Sequence, residues 1–242
     1  MSSPDPGPDV WAEGAAPLSS PVAWISRSAL AVNARAARSE GIRLFSPAIM
    51  AADAWGHGAD LVAEVLATEG FAPARDVLAS TPAIGVEAPT AQRSTAIAPE
   101  TLFGLPGPRP TKPVMRMTGT VLSVKDLRAG EGVSYGYAYR AAADTRVALV
   151  TGGYAQGVVR ALGGAAEVAI GAQRHPVIGR VAMDVCVVEI RDAAVRRGDE
   201  VVFFGDPAQG EPSLRDWARV TGLSVMELIT TVGLRAVRQD TP

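Results

Sequence analysis

The chain offers few side chains that can act as nucleophiles or proton carriers near neutral pH. Its 23 basic residues include only two lysines, and the other candidates are two histidines and one cysteine: Lys112, Lys125, His57, His175 and Cys186. A reaction that needs an amine therefore has two candidate groups. The histidines are too far apart in the sequence to predict an H-E-x-x-H site or a multi-histidine cage, so no metal centre is predicted.

Three glycine-bounded clusters between residues 132 and 184 hold the other side chains that could take part in chemistry. They are Gly132-Val-Ser-Tyr-Gly136, Gly153-Tyr-Ala-Gln-Gly157 and Gly179-Arg-Val-Ala-Met-Asp184. They bring phenol, amide and carboxylate groups next to glycine turns, where a side chain can be held at the end of a strand. Backbone turns alone also explain such glycines.

Short β-branched runs surround these clusters and predict an all-β domain after Pro113. The predicted strands are 114–124, 147–152, 168–170, 177–181, 186–190 and 200–204. Six such runs divided by Gly, Asp and Pro favour a closed barrel or a sandwich. Helices are predicted from Ser213 and over 226–232, with Trp217 as a core anchor, and the polar end 235–242 is predicted to fray.

The first half of the chain predicts a different architecture. Residues 1–21 are rich in Pro, Gly and Ser and predict a flexible tail, without the pattern of a secretory signal. Strand and helix patterns then alternate over 22–69. Prolines interrupt 70–113, which predicts a connector with one short strand.

Composition excludes several classes of protein. The formal net charge is −2, which disfavours binding to nucleic acid or to anionic membranes. No apolar run approaches the length of a membrane span, and a single cysteine cannot form an internal disulfide. These features predict a cytoplasmic location.

The three clusters strongly resemble the carboxy-terminal domain of alanine racemase. The same resemblance continues in Pro113-Val-Met115, Gly198-Asp-Glu-Val201 and Leu234-Arg-Ala-Val-Arg238. It implies a mainly β fold, with a small closed β-barrel over 112–239. The preceding segment 22–111 is expected to be a truncated α/β remnant of a (β/α)8 barrel with its connector, because a complete barrel needs about 250 residues.

Family members of this kind use pyridoxal phosphate and act as dimers in which each β domain completes the partner's site. The resemblance places Tyr135 at a catalytic acid/base position, Tyr154 at the substrate entrance, and Met183 with Asp184 along the substrate carboxylate. Racemisation needs two proton carriers on opposite faces of the substrate. For all four residues a local packing or turn role remains the alternative.

The cofactor positions of the family are altered. Ile49-Met-Ala-Ala-Asp-Ala-Trp-Gly-His-Gly58 resembles the family segment V-V-K-A-D-A-Y-G-H-G, with Ala51 in place of the cofactor lysine. A methyl group cannot form a Schiff base, so covalent binding of pyridoxal phosphate is not expected. Trp55 and Met226 replace tyrosines expected near its phosphate, and Gln156 replaces an aspartate. His57 is interpreted as a hydrogen-bonded structural residue.

Three functional hypotheses follow. The chain is an isomerase that interconverts L- and D-alanine by itself, which the missing lysine argues against. It is a non-catalytic partner whose β domain docks on an intact racemase barrel and donates Tyr135 across the interface or blocks the site. The expected partner is a second copy of the chain or an intact racemase. Or it is a decayed enzyme without a present molecular task.

Overall fold

The first part of the chain packs helices against a small parallel sheet. The computed structural model describes residues 20–74, 96–107, 110–134, 136 and 138–242. The elements before residue 103 are β1 (Val22–Ser26), α1 (Arg27–Ser39), β2 (Leu44–Phe45), α2 (Ala51–Trp55), α3 (Ala59–Thr68), β3 (Ala72–Pro73), β4 (Ala96–Ile97) and α4 (Pro99–Leu102). The alternating strand and helix pattern predicted over 22–69 is confirmed, and the predicted tail lies outside the described residues.

The second part is mainly β. Its elements are β5 (Met115–Leu127), β6 (Gly132–Val133), β7 (Tyr139–Arg140), β8 (Thr145–Thr151), β9 (Glu167–Ile170), β10 (Gln173–Ile178), β11 (Val185–Glu189), β12 (Glu200–Phe204), α5 (Leu214–Thr221), α6 (Val225–Arg235) and β13 (Val237–Thr241). All six predicted strands are present, and both helices begin after serine caps, Ser213 and Ser224.

Six of these strands close into a barrel, as predicted. Their order is β12-β9-β10-β11-β8-β5, and β12 also pairs with β5. Strand β5 can close the barrel because its first half pairs with β12 and its second half with β8, with a register shift between Val121 and Ser123. Gly119 lies at this bend, where an added Cβ would stand 2.3 Å from the Thr151 carbonyl oxygen.

The end of the chain is ordered, which corrects the prediction that residues 235–242 fray. Strand β13 runs parallel to β1, from Val22 opposite Val237 to Ser26 opposite Thr241. Strand β1 in turn lies antiparallel to β5, so β1 and β13 extend the barrel sheet. The polar sequence misled the prediction because main-chain hydrogen bonds at a sheet edge do not require apolar side chains.

The small parallel sheet has the order β3-β2-β4. In a closed (β/α)8 barrel the first strand pairs with the second and with the last. Strand β2 pairs with β3, which follows it, and with β4, which precedes the β domain. This is the order expected when the first two strands and the last strand of such a barrel are retained, and it agrees with the predicted truncated remnant.

One hydrophobic core joins the two parts. Leu30 of α1, Phe103 after α4, Met117 of β5 and Trp217 of α5 all belong to it. Trp217 is buried edge-on against Phe204, with ring centroids 5.2 Å apart, which confirms its prediction as a core anchor.

Candidate functional site

Three positions that the sequence analysis assigned to a cofactor lie in one cleft. Ala51, Trp55 and Met226 line an open space of about 650 Å³ between α2 and α6. The remaining lining residues are Ala52, Leu223, Glu227, Thr230, Thr231, Leu234 and Arg235. Positions far apart in the sequence therefore line one cleft.

The wall of the cleft is a left-handed helical turn. Ala52, Asp53 and Ala54 have φ between 50° and 56° and ψ between 45° and 53°, and Trp55 also has positive φ. Residues with a Cβ lose about 1–2 kcal/mol each in this conformation. Such strain persists only where the surroundings impose it, and it is concentrated at functional sites.

The Asp53 side chain stabilises the left-handed turn through two contacts. Its carboxylate accepts a hydrogen bond from the Ala59 backbone N–H at 2.7 Å and pairs with Arg238 at 2.6 Å. The Ala59 hydrogen bond, and then Arg238, hold the pKa of Asp53 below its usual value despite partial burial. Arg238 also donates to the Gly56 carbonyl at 3.2 Å, so strand β13 contributes to the support.

Two glycines bring the turn against α6. A Cβ on Gly56 would lie 2.7 Å from the Gly233 Cα, and one on Gly233 would lie 2.3 Å from the Gly56 carbonyl oxygen. Real Cβ atoms do not approach backbone this closely, so both positions require glycine. The contact sets the distance between Ala51 and the helix that carries Met226.

His57 has the structural role predicted for it. Its ring is fully buried and stacks on Phe103 with centroids 4.0 Å apart, and its Nδ1 lies 3.0 Å from the Ala54 carbonyl oxygen. Burial lowers the pKa of His57 to about 4, so the ring is neutral at physiological pH. It serves as a packed support behind the turn.

The residues of the cleft do not fit covalently bound pyridoxal phosphate. Ala51 presents a methyl group, and neither lysine of the chain lines the cleft. Lys112 lies just before β5, and Lys125 lies in the exposed part of β5. A Schiff base needs an amine within reach of the aldehyde.

The expected phosphate end of the cleft is also unsuitable. Trp55 and Met226 carry no hydroxyl group. The neighbouring Glu227 carboxylate accepts from the backbone N–H and the hydroxyl of Ser224, both at 2.8 Å, and these bonds lower its pKa. The Glu227 carboxylate is thus turned back over the start of α6 in a capping box and does not replace the lost hydroxyl groups.

A second group contains Tyr154, Met183 and Asp184, which the structure brings together. The Tyr154 N–H donates to the Ala182 carbonyl at 2.9 Å, and the Gln156 side-chain amide donates to Asp184 Oδ1 at 2.9 Å. Gly153 permits this contact, because a Cβ there would lie 2.1 Å from the Met183 carbonyl oxygen. Met183 is 54% exposed, so the group presents an open surface.

Helix α6 contacts both the left-handed turn of the cleft and the segment that carries Tyr154. A Cβ on Gly157, which follows the Tyr154 turn, would lie 2.8 Å from the Val232 Cα, one residue before Gly233 at the other contact. Tyr135 lies outside the described residues. Its neighbour Ser134 accepts a hydrogen bond from the Arg180 N–H at 2.8 Å, which ties the S-Y-G segment to the segment that ends in Asp184.

Sequence reasoning missed three residues of the site. It gave no role to Asp53, Arg238 or Glu227. Asp53 and Arg238 occur within quoted motifs, but nothing local to either residue indicates that they meet. Ser224 followed three residues later by Glu227 is a capping-box pattern that could have placed Glu227 at the start of α6.

Comparisons with known proteins agree on one family. The sequence model described as "Alanine racemase, C-terminal domain" matches residues 114–239, about half of the chain. The alanine racemase of Mycobacterium leprae is 44% identical over 128 residues, which cover 52% of this chain and 33% of that protein. That of Frankia casuarinae is 38% identical over 143 residues, 59% of this chain and 36% of that protein. The chain thus matches about a third of the length of these curated relatives.

Solved structures extend the similarity in fold. The alanine racemase from D-cycloserine producing Streptomyces lavendulae superposes with a TM-score of 0.75 at 20% identity, over 92% of this chain and 97% of that chain. The alanine racemase of Clostridium difficile 630 superposes with a TM-score of 0.51 at 29% identity, over 55% of this chain and 34% of that chain.

Among the described residues, no helix combines the length and the apolar character needed to cross a membrane.

Proposed function

Because the chain belongs to the alanine racemase family, we propose that it is a member without racemase activity of its own. The observation that carries this proposal is Ala51, whose methyl group lines the cleft at the position of the family's cofactor lysine. The family's pyridoxal phosphate stabilises the charge of a substrate carbanion. Neither lysine of this chain lines the cleft to attach it.

The substitutions around Ala51 support the same conclusion. Trp55 and Met226 remove hydroxyl groups from the phosphate end. Restoring the amine alone would therefore leave the phosphate poorly held. The proposal is that the whole cofactor site, and not one residue, has been lost.

The architecture supports an internal deletion. The sheet order β3-β2-β4 retains the neighbours expected of the first strand of a closed barrel. We place the remnant and its connector at 22–111 and the β domain at 112–239. The barrel walls that would enclose a cofactor in a complete racemase have no counterpart among the described residues 20–74 and 96–107.

A direct test is an assay of D-alanine formation from L-alanine. The purified chain is incubated with excess pyridoxal phosphate, beside an intact alanine racemase at equal concentration as positive control. The expected result is no D-alanine above the protein-free blank, for the chain itself and for Ala51→Lys. D-alanine production by the unmodified chain that requires pyridoxal phosphate would overturn the proposal.

A second candidate function is that of a non-catalytic partner of an intact racemase. The observation that favours it is the surface around Met183 and Asp184. Gln156 holds this surface through a hydrogen bond to Asp184, and Met183 is exposed. In the family this segment completes the site of the other subunit. The chain would dock its β domain on an intact barrel, and the cytoplasm is the location this model requires.

Mixing experiments test the partner model. An intact racemase is titrated with the chain while its rate and sedimentation are followed. Association together with a changed rate is expected, and both effects should be lost in Met183→Asp. Neither association nor a change in rate would remove this candidate and leave a decayed enzyme as the alternative.

A further inference from the structure

A second cavity, of about 430 Å³, lies where the first part of the chain meets the β domain. One wall comes from described residues between α4 and the start of β5. The other comes from the loop after β12, the start of α5 and Ile229 of α6. The described residues that line it are all different from those that line the cleft around Ala51. Its volume is in the range of small-molecule sites, which often lie where two parts of a protein meet.

The base of this cavity is apolar and buried. Six of the lining side chains are at most 5% exposed: Phe103, Leu105, Met115, Phe204, Leu214 and Ile229. An apolar cavity of only about 150 Å³ is already large enough to take up benzene. The base therefore favours a ligand with an apolar body.

Hydrogen bonds hold both walls in place. On one side the Asn33 side-chain amide donates to the Leu102 and Lys112 carbonyls, at 3.1 and 2.8 Å, and accepts from the Lys112 N–H at 2.8 Å. On the other side the Asp206 N–H donates to the Glu211 carboxylate at 2.8 Å. The cavity is thus formed before a ligand arrives, which lowers the cost of binding.

Two groups of opposite charge lie at the rim of the cavity. Arg215, in the first turn of α5, is exposed, and its guanidinium has no acidic partner in the described part of the chain. Asp206 uses Oδ1 to accept from the Ala208 N–H at 2.9 Å, which leaves Oδ2 available. Arg215 and Asp206 line the same cavity but are not paired with each other. This arrangement is complementary to a molecule that carries both charges and an apolar body.

We propose that this cavity binds a free α-amino acid with a large apolar side chain, of the leucine or phenylalanine class. The apolar side chain occupies the base, the carboxylate pairs with Arg215, and the ammonium group pairs with Asp206 Oδ2. Arginine holds a carboxylate through two parallel N–H groups, and charge-assisted hydrogen bonds of this kind are stronger than neutral ones. Glycine and alanine lack the apolar body and leave the base unfilled.

Isothermal titration calorimetry of the full chain tests the proposal, with L-leucine and L-phenylalanine as probes. The expected result is one molecule bound per chain, with a dissociation constant below about 1 mM. Three further compounds each lack one feature of leucine. L-alanine lacks the apolar body, 4-methylpentanoate lacks the ammonium group, and 3-methylbutylamine lacks the carboxylate. Each should bind about tenfold more weakly than leucine, or weaker still.

Two variants assign the charged groups. In Arg215→Gln leucine should bind about tenfold more weakly and should lose its advantage over 3-methylbutylamine, because the carboxylate has lost its partner. In Asp206→Asn the amide oxygen can still accept from the Ala208 N–H, and leucine should lose its advantage over 4-methylpentanoate. A general disturbance of the fold would weaken all ligands and preserve these ratios. Arg219→Gln, one turn further along α5 with its side chain 77% exposed, is the matched control and should bind leucine normally.

Absence of saturable binding of both probes would overturn the proposal. So would leucine binding that Arg215→Gln leaves unchanged, or analogues that bind as tightly as leucine. Circular dichroism of each variant checks that the fold is retained. These measurements require no racemase activity, so failure of this site and failure of the proposed function are distinguishable.

Discussion

Acidification should destabilise this protein through His57. The ring is fully buried, and burial lowers its pKa from 6.5 to about 4. Between these values the unfolded chain binds a proton that the folded chain does not bind. Stability therefore rises with pH across this window and falls as the pH is lowered.

The size of the effect follows from the shift. Each pKa unit corresponds to about 1.4 kcal/mol. Lowering the pH from about 7.5 to about 4.5 should therefore reduce the free energy of unfolding by about 2–3 kcal/mol through His57 alone. Burial also lowers the pKa of His175, which adds a smaller effect of the same sign. Carboxylates with a lowered pKa, such as Asp53, lose their contribution to the free energy of unfolding only at more acidic pH.

Urea unfolding followed by tryptophan fluorescence at a series of pH values measures this dependence. In His57→Asn the amide N–H can still donate to the Ala54 carbonyl, but the titrating group is gone. We expect a lower stability at neutral pH and a much flatter profile on acidification. His175→Asn is the matched control and should keep most of the slope. An unchanged slope in His57→Asn would refute this account of the buried ring.

Two further predictions concern the support of the left-handed turn. Gly233→Ala should lower the free energy of unfolding by about 1–2 kcal/mol in urea titrations, because the clash with the Gly56 carbonyl outweighs the gain in helix propensity; a more stable variant would contradict the contact. Asp53→Ala should cost about 1–2 kcal/mol at neutral pH through the lost hydrogen bond to Ala59. Since the pKa of Asp53 is lowered, its contribution to stability is lost progressively as the pH falls from 3.8 through that lowered pKa, so the variant and the unmodified chain should converge in acid, and a constant difference would argue against this role.

The sequence predicted the β domain well because its strands carry their own signals. The β-branched runs between Gly, Asp and Pro gave all six barrel strands, and Ser213 marked the start of α5. Strand β13 was missed, because its pairing with β1 depends on where the other end of the chain lies. The predicted connector contains two short strands, β3 and β4, and the helix α4 in its described parts, where one short strand was expected.

The candidate site was predicted only in part. The family resemblance indicated Ala51, Trp55 and Met226, and no periodicity or propensity would have brought them together. The left-handed turn could not be predicted from residue types, because Ala52, Asp53 and Ala54 adopt a conformation that local propensity disfavours. Contacts with Arg238 and Gly233, distant in sequence, hold it in place.

The most direct test of the central claim asks whether this chain can hold pyridoxal phosphate covalently. The purified protein is incubated with the cofactor, reduced with borohydride, digested and analysed by mass spectrometry, beside an intact alanine racemase. We predict a modified lysine peptide in the racemase and no stoichiometric modification of the Lys112 or Lys125 peptides in this chain. Stoichiometric attachment at either lysine would contradict the account.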